Sequence, residues 1–261
     1  MPYGHSNPEF ITIGRGALYF APFVPGTHTP KGFRFLGNAP AFSLTINVNK
    51  LEHFSSTEQI KQKDKIVVLD TTRSGAITLD EIHPDNVAMF LFGQNDPITE
   101  TAATGITESI TGVELDRSYM IGVSDTYPSG RKNITNLQVA KSGTALVENT
   151  DYKADLSSAM IHILATATGV SAGDTIDLTY DQVAFTRNHI KAGSDLIEGA
   201  LKFVSNNPTG AQQDVFCPYV SMNPTGDMQL IGDDWMQIPL EFEALVDGDK
   251  AAVYVDGKPV A

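Results

Sequence analysis

The sequence predicts a mainly β protein with one packed α-helix and a second, small β-sandwich inserted into the first domain. Three observations carry this. Apolar and polar residues alternate in several stretches, most cleanly at 41–49 and 235–245. Residues 83–92 are the one stretch that reads as a helix. The composition changes character after Gly93 and returns to its first style after residue 184. With 261 residues, 41% of them apolar and 19% charged, the chain has material for a packed core and no signature of disorder.

The first dozen residues, with Pro2, Gly4 and Pro8, read as an extended arm. Strands are expected at 16–23 (GALYFAPF) and 33–36 (FRFL). Within 41–49, Phe42, Leu44, Ile46 and Val48 point one way and Ser43, Thr45, Asn47 and Asn49 the other, a strand with one buried and one wet face. From Lys50 to Asp64 the sheet period fails, which predicts a long functional or flexible loop. Two strands, 65–72 and 75–82, follow with Ser74-Gly75 as the turn between them. In the helix, Pro84 suits the first turn, Asp85 the positive end, and Gly93 the stop. Val87, Met89, Phe90 and Leu91 give it an apolar side to pack on a sheet.

Residues 94–112, rich in Thr, Gly and small polar side chains, read as a linker. The following stretch to 183 has strand candidates at 119–123, 134–140, 144–148, 151–155, 160–164 and 175–180, separated by turn residues, as in a small sandwich. The domain organisation is therefore 1–99 and 184–261 as two parts of one domain, with 100–183 inserted. Strands are expected at 196–204, 215–222, 228–231 and 235–245, then a short one in AAVYV. In the strongest of these, Met236, Ile238, Leu240, Phe242 and Ala244 take one face and Gln237, Glu241 and Glu243 the other. Pro239 inside it suggests an edge or a bulge.

Charge and chemistry narrow the function. Acidic residues outnumber basic ones 31 to 18, a net charge of −13, which argues against gripping nucleic acid through its phosphates. The excess is uneven: 1–99 is nearly balanced at −1, while 100–183 and 184–261 each carry −6. The single cysteine, Cys217, rules out an internal disulfide framework and is expected as a buried core thiol. The longest apolar run, Val87 to Phe92, is too short to span a bilayer, and no secretory signal is expected at the start of the sequence. A soluble protein of a reducing compartment is the expectation. The six histidines are scattered without metal-ligand spacing, and no nucleophile elbow, phosphate loop or dinucleotide fingerprint occurs, so neither cofactor, metal nor enzymatic activity is expected.

The order of several segments resembles the tail tube (major tail) proteins of tailed bacteriophages. GRGALYFAPFVPGTHTPKGFRFLGNAPAFSLTINVNKLEHFSS (14–56) carries a "GRG…F" strand, an "FR.LGN.P.F" turn and strand, and an "LEHFSS" segment in that family's order. SGAITLDEIHPDNVAMFLFG (74–93) and the pieces EGALKFVSNNPTG, CPYVSMNPTGDMQL, DDWMQIPLEFEAL and AVYVDGKPV within 198–260 follow. The middle block, with LVENTDYKADLSSAMIHIL and VSAGDTIDLTYD, is similar to Ig-like modules inserted in phage tail proteins.

The resemblance implies a tail-tube β-sandwich/β-barrel domain whose sheets join in a homo-hexameric ring. Rings would stack into a tube that conducts DNA, in a virion assembled from protein made in the host cytoplasm. The implied partners are copies of the chain, the tape measure, tail tip and tail terminator proteins, and DNA in transit, with no membrane. Ser43, Thr45, Asn47, Asn49, Gln237, Glu241 and Glu243 then become lumen-lining candidates, the carboxylates repelling passing phosphates. The 50–64 segment becomes an inter-ring loop: Leu51, Phe54 and Ile60 as apolar anchors, Glu52, Glu58, Lys61, Lys63 and Asp64 as ion-pairing groups. The N-terminal arm and the last strand are expected to add to a neighbour's sheet. An acidic inserted domain on the outside would obstruct a contractile sheath, which favours a non-contractile tail.

Three rivals remain at this stage. A tube subunit of a tailocin or secretion device would share the ring. A carbohydrate- or cell-surface-binding sandwich wants an exposed aromatic cluster, whereas Trp235, the sole tryptophan, is expected to open a core strand. An enzyme using Glu241 and Glu243 is disfavoured, since carboxylates two apart on a strand repel side by side.

Overall fold

The structure, a computed structural model, describes Asn7, residues 10–57 and residues 59–258. The N-terminal arm falls mostly outside these residues, as does Glu58. The chain is mainly β with one helix and divides into two compact units, Met1–Asp96 with His189–Ala261, and Pro97–Asn188.

The first unit is built on one open, eight-stranded antiparallel sheet. Its path runs Arg34–Phe35, Gly16–Pro22, Ile197–Ser205, Gln213–Pro224, Ile238–Ala244, Gln62–Leu79, Ala41–Ser55, and the described residues close no barrel. Tyr254–Gly257, the strand expected to add to a neighbour's sheet, pairs along one edge with the first residues of Gln213–Pro224 in its own sheet. On one face of the sheet Leu18, Phe20, Ile77, Leu79, Leu201, Val220, Met222, Ile238, Leu240 and Phe242 form the core. Cys217 lies in it, fully buried, and burial pushes its thiol up to about 11.

The helix, Pro84–Phe90, packs on that core through Ala88 and Met89, with Val87 and Phe90 partly buried beside them. His83 caps it, its Nδ1 accepting from the Asp85 amide at 3.3 Å. Its most buried residue is polar. The Asn86 amide donates to the Leu36 carbonyl at 2.7 Å and accepts from Arg34 at 2.8 Å, tying the helix to the Arg34–Phe35 strand. The left-handed residue that ends the helix is Phe92, at φ 50°, not Gly93. Gly93 is needed for space instead, since a Cβ there would sit 1.8 Å from the Lys191 carbonyl oxygen.

Three further assignments of loop, turn and strand fail in this unit. Residues 50–64 are not a loop. Ala41–Ser55 and Gln62–Leu79 form one hairpin of 15- and 18-residue strands, with only a short turn between them. Ser74-Gly75 is not a turn, because Gln62–Leu79 runs through it unbroken. Gly75 is there for close approach: a Cβ would meet the Ser43 carbonyl at 2.2 Å and the Phe242 ring at 2.5 Å. Residues 50–64 escaped the periodicity argument because two register shifts, at Asn49/Lys50 and His53/Phe54, break the alternation. The buried face expected of 41–49 is absent, since Leu44, Ile46 and Val48 are exposed on a hairpin with both faces open. The third failure is 228–231, which is irregular. Pro239 lies in an interior strand, near its start, where the ladder to Gln213–Pro224 ends at Leu240.

The second unit has two sheets sharing one core. One is ordered Thr144–Ala145, Ile134–Lys141, Asp174–Gln182, Ala103–Val113, and the other Tyr152–Asp155, Met160–Ile163, Arg117–Met120. Ile121, Ile134, Ile161, Ile163, Ile176, Leu178 and Tyr180 are fully buried in this core. The stretch read as a linker contributes its longest strand, Ala103–Val113, whose Ile106, Glu108 and Ile110 turn inward while the Thr and Ser between them face out. Ile98–Glu100 pairs with Phe185–Arg187 at the two ends of the unit's sequence. There the fully buried Glu100 carboxylate is held by Arg131 and Arg187, each at 3.3 Å.

Candidate functional site

The residues singled out in the sequence lie on the outer face of the large sheet and on its hairpin. Paired residues of adjacent strands share a face. The register places Ser43, Ala76, Glu241 and Asn223 in one row across four strands, and Thr45, Ser74, Glu243 and Ser221 in the next. The face is therefore continuous, polar and acidic, with the apolar core directly behind it: Ile238, Leu240, Phe242 and Ala244 are buried while Glu241 and Glu243 are exposed. Asn47, opposite Thr72, and Asn49, opposite Asp70, carry the polar rows outward along the hairpin. The Asn49 amide donates to the Asp70 carboxylate at 2.9 Å. Gln237 is exposed but precedes the paired residues of its strand and takes no place in these rows.

Sequence reasoning missed Asp70, Thr72, Ser74, Ser221 and Asn223 as members of this face. Ser221 and Asn223 alternate with the buried Val220 and Met222 and were legible. Asp70, Thr72 and Ser74 were hidden by the unpaired Leu69 at the register shift and by the turn assigned to Ser74-Gly75.

The hairpin carries the second group of candidates. Glu52 pairs with Lys63 at 2.5 Å and His53 with Asp64 at 2.5 Å, within the hairpin itself. Among the described residues Lys61 makes no ion pair, and Leu51, Phe54 and Ile60 are exposed. The hairpin's exposed apolar set is larger than the sequence suggested, adding Leu44, Ile46, Val48, Ile66, Val67, Val68 and Leu69. From its pairing with Ala244 at Arg73, the strand extends to Gln62 with only its hairpin partner beside it, a reach of roughly 36 Å at about 3.3 Å per residue.

One titratable cluster borders the polar face. The Tyr219 hydroxyl donates to Glu198 at 2.5 Å, and this bond, with burial, pushes its pKa up to about 12. His28 stacks on Phe23, lies tilted against the Tyr219 ring and approaches Asp247 at 2.7 Å, where Lys250 and His28 hold the Asp247 carboxyl below its usual range. The geometry keeps Tyr219 protonated and fixes the 24–29 turn against the sheet. Among the described residues no three His, Cys, Asp or Glu side chains cluster as a metal would require. None of their helices is long and apolar enough to cross a membrane.

Trp235 does not open a core strand. It is 86% exposed, in the irregular 225–237 segment, with Leu230 and Ile231 exposed beside it. It stacks on no other ring among the described residues, so the aromatic cluster wanted by a sugar-binding surface is not formed around it.

Fold and site together define a mainly β protein with an open sheet, one continuous acidic face and a projecting hairpin. The chain belongs to the family described as "Protein of unknown function UCP028589", whose model matches residues 11–255. No curated protein matches it.

Proposed function

We propose that this chain is the subunit of a phage tail tube. Six copies form a ring, rings stack into a tube, and the outer face of the large sheet lines its lumen. The observation that carries the reading is the sheet itself. It is open, ends in the long Ala41–Ser55 strand, and has one face built of Ser, Thr, Asn, Asp and Glu. A free edge of that length invites pairing with another chain, and a ring satisfies it with a copy of the same chain. The segment order resembling tail tube proteins supplies the rest of the reading.

In this assembly the second unit is an Ig-like module, and the tail is a long non-contractile one. Tape measure, tail tip and tail terminator proteins meet the tube at its interior and ends. Glu241 and Glu243 repel the phosphates of DNA in transit, so the duplex slides without specific binding. The chain acts as virion structure and performs no catalysis.

The lumen assignment is tested by Glu241→Lys together with Glu243→Lys. Both positions are exposed, so the protein folds and assembles, while DNA delivery by virions carrying the changes falls. Unchanged infectivity of such virions contradicts it.

A further inference from the structure

The hairpin and the Trp235 segment lie at opposite ends of the same sheet. Residues 225–237 join Gln213–Pro224 to Ile238–Ala244 at the end where Ile238 pairs with Leu79. The hairpin turn, 56–61, lies beyond the other end, past the pairing of Ala244 with Arg73. Both segments expose apolar side chains that nothing in the chain covers: Leu51, Phe54 and Ile66 on the hairpin, Leu230, Ile231 and Trp235 on the other.

Their charges are complementary. The 225–237 segment holds Asp227, Asp233 and Asp234 and no basic residue. The hairpin, residues 41–79, holds five basic and four acidic residues in a chain whose net charge is −13. Glu52 and Asp64 are already engaged within the hairpin, whereas Lys50, Lys61 and Lys65 make no ion pair among the described residues.

We propose that the 225–237 segment is the docking site for the hairpin of a second copy of this chain, with Trp235 and Ile231 as its apolar anchors. Because the matching surfaces sit at opposite ends of one sheet, the contact is head-to-tail. A head-to-tail contact leaves both terminal surfaces free and propagates along an axis. The inference deepens the tube reading, on which its placement between rings rests, by naming the surface that receives the hairpin.

The experiment uses the full chain with one added cysteine per molecule. The native Cys217 is fully buried and does not compete. Ile60 and Ile231 are 77% and 90% exposed, so Ile60→Cys and Ile231→Cys leave the fold intact. Mixing the two variants under mild oxidation yields interchain disulfide several-fold above either variant alone, and the yield falls with added salt. Ile231→Ser with Trp235→Ser, in an otherwise unchanged chain, abolishes assembly seen by sedimentation. A mixed yield no greater than that of the single variants overturns the docking. The two readings separate by electron microscopy. Tubes without the mixed cross-link overturn the docking alone, and a mixed cross-link in oligomers that are not tubes sustains the docking against the tube.

Discussion

The inserted unit and the hairpin use apolar residues in opposite ways. Across the 92 residues of Pro97–Asn188, six large apolar side chains are exposed, and the isoleucines of its core are fully buried. The 39 residues of the hairpin expose ten. A monomer gains nothing from so dense an exposed set, and such patches mark contact with another molecule. The inserted unit therefore covers its own apolar residues, while the hairpin's are left uncovered among the described residues, as the proposed assembly requires.

Substitutions sharpen this contrast, and the inserted unit should feel them most. Glu100→Ala leaves Arg131 and Arg187 facing each other without their buried carboxylate, a loss of about 3–5 kcal/mol. Hydrogen exchange across residues 97–188 of the full chain reads it. Ile161→Ala opens a cavity between the two sheets and costs about 2–5 kcal/mol by the same measurement. At the root of the hairpin, Gly75→Ala forces its Cβ against the Ser43 carbonyl and Phe242, destabilising the large sheet by about 1–3 kcal/mol in chemical denaturation.

Acid sharpens the comparison by another route. The Asp151 carboxylate accepts from the Val147, Gly169 and Thr168 amides, which hold its pKa below the ordinary 3.8. The native state thus favours the ionised form. Its contribution is present above 3.8 and is lost as pH falls through the lower folded value. Exchange at 147–169 should accelerate in that acidic window, and Asp151→Asn should reduce the pH dependence, leaving the share carried by Asp155, Asp174 and Asp181, whose carboxyls are also held low. The smallest effect belongs to Ile46→Ala on the hairpin. Its side chain is 65% exposed, so monomer stability changes by under about 0.5 kcal/mol while assembly weakens. A large loss of monomer stability would break the comparison.

The same contrast governs what could be read from sequence. The 235–245 strand was legible because it has one buried and one wet side, as Leu240 and Phe242 against Glu241 and Glu243 show, and the helix because Pro84 and Asp85 mark its first turn. In the hairpin the alternation over 41–49 marked the strand but not a buried side, since Leu44, Ile46 and Val48 are exposed, and Leu69 at the register shift set Asp70, Thr72 and Ser74 out of phase. Ala103–Val113 was read as a linker because Thr and Gly dominate its outer face, although Ile106 and Ile110 mark the inner one. Gly75 and Gly93 looked like punctuation. Each serves instead to let another backbone approach, which only a folded partner strand or segment reveals. Trp235 was assigned to the core by its place before an alternating run, whereas regular pairing starts three residues later at Ile238.

The central claim is that the open sheet and its hairpin are completed by other copies of the chain. Electron microscopy of the purified full-length protein, paired with light scattering, tests it most directly. The account predicts rings or hollow tubes of uniform diameter with the hairpins bridging successive rings. A monodisperse monomer that persists when the chain is co-expressed with the initiating tail proteins would contradict it.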